Sequence, residues 1–310
     1  FQVSTAITSL GVAGNPIAHS LSPDIHHGFA RSLGNEVDYQ RLCFPLDGFK
    51  AGTSAFFAAG GLGLNVTVPF KREACDYASR LDPVAAAAGA VNTLAMQHDE
   101  VVGYNTDGIG LVRDLQDRHG VVLSESSVLI LGAGGACQGI IRPLLDAGVR
   151  KISIANRTRS KAEQLVDRFT LPLGSVDSAA GSAAIASRKT AQDPEATDNA
   201  VNIEVFELTQ LATLVLDADL IINSTAMGLD QNASKALHSL PLNLPKGRIC
   251  YDLSYGSQAQ FARWAQDHGA RRVFDGLGML VEQAAESYSI WMGKHPSTQP
   301  VYQQLRRQLA

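Results

Sequence analysis

The chain has 310 residues, 45% hydrophobic and 18% charged, with a formal net charge of −4. Its length exceeds the usual single-domain size and its apolar share supports sizeable cores, so two domains are expected and a disordered chain is excluded. The mild acidity leaves no electrostatic footprint for nucleic acid, and no apolar run approaches the length that crosses a bilayer, so neither partner is expected.

The opening FQVSTAITSL lacks a basic n-region and reads as the approach to a strand, not as a leader. Short apolar runs then alternate with helical patterns, the signature of an α/β architecture with mostly parallel strands. A first strand is predicted near Ile7–Ala13, and a helix over Asp24–Leu33 with Ile25, Phe29 and Leu33 on one face and Gly34 as its stop. Strands follow around Tyr39–Phe44, Leu62–Val68 and Ala90–Ala95. GYNTDGIGLVRDLQDRHG reads as a strand end and then a helix from about Gly108 to His119.

From Val128 the pattern becomes a cleaner βαβ repeat: SVLILGAGGACQGIIRPLLDAG, then KISIANR, then a helix over Ser160–Phe169. LVLDADLIINST and RICYDLSY supply later strands, and Leu277–Trp291 and Pro300–Leu309 are helical by pattern. Residues 174–200, rich in Ala, Ser, Asp and Thr and without sustained periodicity, are expected to form a surface insertion. Cys43, Cys75, Cys137 and Cys250 lie far apart with no CxxC and no His/Cys ligand spacing. They are expected to be reduced thiols of a cytoplasmic protein, and no metal site is expected.

A cofactor signal sits in VLILGAGGACQG, where a buried strand runs through a glycine turn into a helix. Gly132 permits the tight turn, and Gly134 lets backbone N–H groups approach a pyrophosphate at the helix N-terminus. The turn Gly132, Ala133, Gly134, Gly135, Ala136 is a GxGGA variant, not a strict GxGxxG, and Cys137 takes the third small position. At the end of the next strand, where an NAD enzyme places an acid for the ribose hydroxyl, this chain has Asn156, Arg157, Thr158, Arg159 and Lys161. Arg157 can clamp a 2′-phosphate that a carboxylate would repel; two such bonds at about 1.5–3 kcal/mol each favour NADP(H) by two or more powers of ten.

Three polar signals fall at strand ends of the first half: NPIAHSLSP, NVTVPFK and AVNT…GYNTDG. Singly, each reads as a capped turn with a surface charge; their recurrence is the argument, because open α/β sheets bind ligands beyond the carboxyl ends of strands. Ser20 and Ser22 precede a helix that opens on Pro23. Ser22 is expected to cap it, and two hydroxyls at a helix N-terminus also suit a carboxylate. Lys71 and Asp107 supply a cation and an anion that can hold one substrate hydroxyl between them and exchange its proton during hydride transfer.

The order and context of GNPIAHSLSP, NVTVPFK, AGAVNT, GYNTDG, GAGGA, NRT and DGLGML resemble the shikimate dehydrogenase family over nearly the whole chain. The resemblance implies a substrate domain built from 1–106 with 276–310 and a Rossmann-type NADP domain over 107–275. It implies reversible NADPH-dependent reduction of 3-dehydroshikimate to shikimate, in aromatic amino-acid biosynthesis, by a monomer or homodimer. Residue by residue it assigns Lys71 and Asp107 to the acid/base work, and Ser20, Ser22 and Tyr255 to the substrate carboxylate. Thr67, Asn92, Asp107 and Gln283 would bind or order substrate hydroxyls. Asn156, Arg157, Thr158 and Lys161 would face the 2′-phosphate, with Gly276 and Met279 near the nicotinamide. Leu21 stands where many members have lysine, and STAMG replaces the commoner proline-bearing form of that loop.

The nearest rival is a quinate or dual quinate/shikimate dehydrogenase. Relatives preferring quinate tend to carry Thr at the second serine position and an acid in place of NRT, so Ser22 and Arg157 both favour shikimate and NADP. A non-catalytic paralogue that binds NADP(H) or a metabolite would be expected to lose Lys71 or Asp107, and both are present. A generic Rossmann alcohol dehydrogenase explains the glycine turn but not the serine pair or NVTVPFK.

Overall fold

The structure, a computed structural model, describes residues 7–170, 202–212, 217–225, 242 and 247–309. The 174–200 segment, and the STAMG loop beyond Thr225, lie outside the described residues. Two six-stranded sheets organise the rest.

The first sheet contains β1 (Thr8–Gly14), β2 (Val37–Cys43), β3 (Gly63–Val66), β4 (Arg80–Leu81), β5 (Thr93–Gln97) and β6 (Glu100–Tyr104), in the order β2-β1-β3-β5-β6-β4. Its helices are α1 (Ser22–Leu33), α2 (Phe49–Ala58), α3 (Lys71–Tyr77) and α4 (Pro83–Ala88). Ile25 and Phe29 bury one face of α1, and Gly34 ends it in the left-handed conformation at φ 70°. This sheet is mixed, because β5 runs antiparallel to both β3 and β6. His98 and Asp99, at φ 49° and 65°, make the two-residue turn that joins β5 to β6 with the twist of a hairpin. QHDE carries no Asn-Gly or Asp-Gly signal, so periodicity alone read these strands as part of a parallel series.

The chain crosses to the second unit through α5 (Asp107–Arg113), continued by a π-helical turn over Asp114–Arg118 in place of the single α-helix expected to His119. The second sheet holds β7 (Ser127–Leu131), β8 (Lys151–Asn156), β9 (Ile203–Glu207), β10 (Leu220–Asn223), β11 (Ile249–Asp252) and β12 (Arg272–Asp275). Its order β9-β8-β7-β10-β11-β12, parallel throughout, is the 3-2-1-4-5-6 order of a dinucleotide-binding fold. β7 is buried at every residue, as a strand covered on both faces must be. α6 (Gly135–Asp146), α7 (Arg159–Thr170) and α8 (Gln260–Asp267) cover it.

The chain returns through α9 (Leu277–Met292) and ends in α10 (Gln299–Leu309). Tyr288 of α9 packs edge-on to Phe29 of α1, and Trp291 donates to Leu94 O at 3.0 Å over Gly63, where a Cβ would overlap the indole. The last helices thus complete the core beside the first sheet. Among the described residues, no helix is long and apolar enough to cross a membrane.

Candidate active site

A cleft of about 450 Å³ opens between the carboxyl ends of the two sheets. Ser20, Ser22, Thr67, Lys71, Asn92 and Asp107 line it from the first unit. Ala136, Tyr255, Gly276, Met279 and Gln283 line it from α6, the β11 loop and α9. The structure therefore brings into one cavity every residue that the resemblance assigns to substrate or to the acid/base step.

The local chain explains each placement. β3 ends at Val66, earlier than the predicted Val68, whose side chain is exposed. Thr67 and Lys71 then bracket a turn closed by Phe70 N donating to Thr67 O, and Lys71 becomes the first residue of α3 with its side chain in the cleft. Asp107 is the first residue of α5, where a carboxylate complements the helix dipole.

Lys71 Nζ lies 2.5 Å from Asp107 Oδ2, and Asn92 Nδ2 donates to Asp107 Oδ1 at 2.8 Å. The Asn92 amide has a determined orientation, because its Oδ1 accepts from Thr106 N at 2.9 Å and from Thr93 Oγ1 at 2.9 Å. Gln283 donates back to Leu280 O at 2.8 Å and turns its Oε1 toward Asn92 Nδ2 at 3.3 Å. Lysine, carboxylate and amide thus form one hydrogen-bonded row, able to hold an oxygen and pass a proton to or from it.

Ser20 and Ser22 sit at the entry to α1, with Ser22 N donating to Ser20 Oγ at 3.3 Å and Arg41 clamping Ser20 O at 2.7 and 3.0 Å. The expected cap is corrected here. Leu21 is the N-cap and its side chain makes no cap bond, Ser22 is already helical with Pro23 behind it, and the first-turn N–H of Ser22 is met by Ser20 Oγ. The Ser22 hydroxyl, which does not cap the helix, lines the cleft at the start of α1 and can donate to an anionic ligand there. Burial of Tyr255 raises its phenol above the ordinary range, so it is a neutral donor in the same cavity.

The cofactor turn passes a separate test. Gly132 holds φ 99°, and a Cβ there would lie 2.7 Å from Thr225 Cγ2. Gly134 and Gly135 are exposed at the start of α6, and a Cβ built on either meets nothing within 4 Å. Ala133 packs against the core and Cys137 is fully buried in it. Open glycine backbone at a helix N-terminus is what a pyrophosphate needs. Gly132 N donates to Ala155 O at 2.8 Å, which sets the end of β8 beside this turn. There Asn156 Nδ2 donates to Thr158 O at 2.8 Å and shapes the turn, while Arg157, Thr158 and Lys161 are exposed. Arg159 is paired with Glu163 at 2.7 Å, whereas among the described residues no carboxylate pairs with Arg157 or Lys161. These four positions lie outside the cleft, beyond the glycine turn, as an adenosine end requires. The residues fit a phosphorylated dinucleotide.

Sequence reasoning missed two cleft supports. Asn65, 6% exposed, accepts from the Tyr39 hydroxyl at 2.7 Å and donates to Ser287 Oγ at 3.0 Å and Thr93 Oγ1 at 3.1 Å. Thr106 is the N-cap residue of α5, and its amide fixes Asn92. An Asn in the middle of an otherwise apolar buried strand was the available signal for Asn65, because a buried amide requires partners.

Residues 12–94 match the shikimate dehydrogenase substrate binding domain, residues 114–185 the shikimate/quinate 5-dehydrogenase family, and residues 276–306 the shikimate 5′-dehydrogenase C-terminal domain. The chain is 44% identical to a shikimate dehydrogenase (NADP(+)) of Alkalilimnicola ehrlichii over 95% of this chain and 97% of that one. It is 43% identical to the protein of the same name from Janthinobacterium sp. (strain Marseille), over 99% of this chain and all (100%) of that one. Among solved structures it resembles the shikimate 5-dehydrogenase of Thermus thermophilus in complex with NADP(H) and shikimate, with TM-score 0.75 and 27% identity over 97% of this chain and 99% of that one. With near-full-length identity of this order and matching models along its length, the chain belongs to the shikimate dehydrogenase family.

Proposed function

We propose that this protein is an NADP-dependent shikimate dehydrogenase, catalysing the reversible reduction of 3-dehydroshikimate to shikimate in the shikimate pathway. The observation that carries the reading is the cleft itself, which gathers the serine pair, the Asn92–Asp107–Lys71 row and Ala136 of the glycine turn in one cavity.

In this reading Ser20, Ser22 and Tyr255 hold the substrate carboxylate and so fix which ring carbon meets the reacting end. Thr67, Asn92 and Gln283 take the ring hydroxyls. When bound, NADPH supplies the hydride to the carbonyl carbon, and Lys71 with Asp107 supplies the proton to its oxygen, so that ketone, NADPH and one proton give carbinol and NADP+. In the reverse direction the same pair removes the hydroxyl proton. The pair acts as one coupled unit. Asn156, Arg157, Thr158 and Lys161 take the 2′-phosphate, Gly132 to Ala136 the pyrophosphate, and Gly276 and Met279 the nicotinamide side of the cleft.

The domain division is part of the proposal: 1–106 with 276–310 binds substrate and 107–275 binds the cofactor. The packing of Tyr288 and Trp291 beside the first sheet supports it. Cytoplasmic location is supported by four free cysteines, two of them buried.

The test is a set of initial rates for shikimate and quinate, each with NADP+ and NAD+, on one purified sample. A high kcat/KM for shikimate with NADP+ alone is expected. Comparable rates with quinate or NAD+ would keep the acid/base row and move the enzyme to the dual-specificity branch, and no turnover of either acid would overturn the reading.

A further inference from the structure

α5 and α9, the two helices that join the units, meet in a buried polar knot outside the substrate site. Asp114, at the first residue of the π turn, is fully buried. Its Oδ1 accepts from Arg118 Nε at 2.8 Å, and its Oδ2 accepts from the Tyr251 hydroxyl at 2.7 Å. His119 Nε2 lies 3.5 Å from the same Oδ2. Tyr251, also fully buried on β11, accepts in turn from Met279 N at 3.3 Å. Gly278 makes room for this, since a Cβ there would overlap the Asp114 carboxylate.

A buried carboxylate and a buried phenol are both costly unless fully partnered, so their placement in this knot calls for a reason. The geometry gives one. The first N–H groups of a helix have no intrahelical acceptor. At α9 the first intrahelical bond is Leu280 N to Gly276 O at 2.9 Å. Leu277 N donates to its neighbour Asp275 at 3.3 Å, whereas Met279 N donates to Tyr251, its one partner among the described residues, reaching over from β11. Burial, together with the Asp114 charge, holds the Tyr251 phenol protonated, so its proton goes to Asp114 and its lone pair is left for Met279. The same turn carries Gly276 and Met279 into the cleft wall, and one turn later Gln283 faces Asn92.

We propose that Tyr251, oriented by Asp114, is a positioning residue for the reaction: it caps the first turn of α9 from outside the helix and sets the cleft wall against which the nicotinamide side of the site is built. This rests on the reading given under Proposed function. Small displacements of reacting groups cost rate far more than they cost binding, so the signature is a split between kcat and KM.

The experiment compares wild type with Tyr251→Phe, which keeps the ring and removes only the hydroxyl. It measures kcat, KM for shikimate and NADP+, the melting temperature, and amide exchange of the first turn of α9 without cofactor. Loss of one such bond predicts kcat lower by about tenfold, KM for shikimate within about twofold, and exchange of that turn faster by about tenfold with other helices unchanged. Asp114→Asn, which leaves the phenol in place, is expected to show a smaller loss with the same split. Unchanged kcat and unchanged exchange overturn the proposal. So does a kcat loss matched by uniform loss of protection, which is what a merely structural residue would give. A wild type that turns over neither shikimate nor quinate defeats the functional reading, while the exchange comparison still decides whether Tyr251 caps α9.

Discussion

Lys71 Nζ and Asp107 Oδ2 lie 2.5 Å apart although their residues are separated by 36 positions and belong to different helices. α3 and α5 each deliver their first residue to the same point, and Asn92 holds the second carboxylate oxygen from below. In the proposed mechanism, removing the lysine breaks the Lys71–Asp107 pair that moves the proton but leaves Ser20 and Ser22 untouched. Lys71→Ala is therefore expected to lower kcat by about 10³-fold, within the usual range for a lost general acid or base. Shikimate binding should remain measurable by calorimetry, and an unchanged kcat would remove Lys71 from the mechanism.

Arg157 stands at the end of β8 without a carboxylate partner among the described residues, beside a glycine turn open to a pyrophosphate. Arg157→Asp replaces the proposed phosphate clamp by a group that repels phosphate and accepts from a ribose hydroxyl. The ratio of kcat/KM for NADP+ over NAD+ should fall at least about tenfold, equivalent to the loss of one charge-assisted bond. Equal ratios in the two proteins would refute the clamp.

The glycines of the cofactor turn separate a folding role from a binding role. Gly132 is in the left-handed region and faces Thr225 and Ser224, so Gly132→Ala is strained twice and should cost about 1–3 kcal/mol of stability. Gly134 has an ordinary φ of −85° and open space in front of it, so Gly134→Ala should leave the melting temperature unchanged. Its methyl would instead stand where the pyrophosphate approaches and raise KM for NADP+. Equal melting losses in the two variants would mean that the turn is structural at both positions.

Much of this is legible in the sequence alone. The parallel sheet around SVLIL is readable because strands buried on both faces are continuously apolar, and Ser20, Ser22, Thr67, Lys71 and Asp107 because they follow strands that turn chemistry terminates, whereas Asn92, directly before β5, and Gln283, inside α9, rest on the family resemblance. What stayed hidden depends on partners distant in sequence. Ser287 lies 222 positions from Asn65 and 194 from Thr93, and no local pattern links them. Tyr251 and Asp114 are 137 positions apart. Ser22 reads as a cap because Ser before Pro in a first turn usually is one; in the structure Leu21 is the N-cap and the Ser22 hydroxyl lines the cleft. The antiparallel hairpin at His98–Asp99 escaped for the opposite reason, since two residues adopting φ > 0 without glycine leave no compositional trace.

His26 gives a prediction about stability and pH. It is fully buried on α1, stacked on Tyr39 at 4.4 Å, with Nε2 on Asn65 Oδ1 at 3.1 Å and no partner for Nδ1 among the described residues. Since Asn65 Oδ1 is an acceptor, Nε2 carries the proton of a neutral ring. Burial lowers the pKa from 6.5 to about 3, and neighbouring His27 adds to the shift. A group whose folded pKa is depressed binds its proton first in the unfolded chain, so stability is complete above pH 6.5 and falls as pH drops toward 3. By pH 5 this one ring should cost about 2 kcal/mol. Asp252 opposes it, because burial raises its pKa from 3.8 to about 6, and the stability of its protonated form is lost as pH rises through that window. The absolute slope therefore mixes the two, and the decisive quantity is the difference between proteins. His26→Gln keeps an amide donor for Asn65 and cannot titrate, so denaturant melts at pH 7 and pH 5 should show a smaller acid loss than wild type, by about 2 kcal/mol. Parallel losses in the two proteins would mean that His26 charges as readily folded as unfolded.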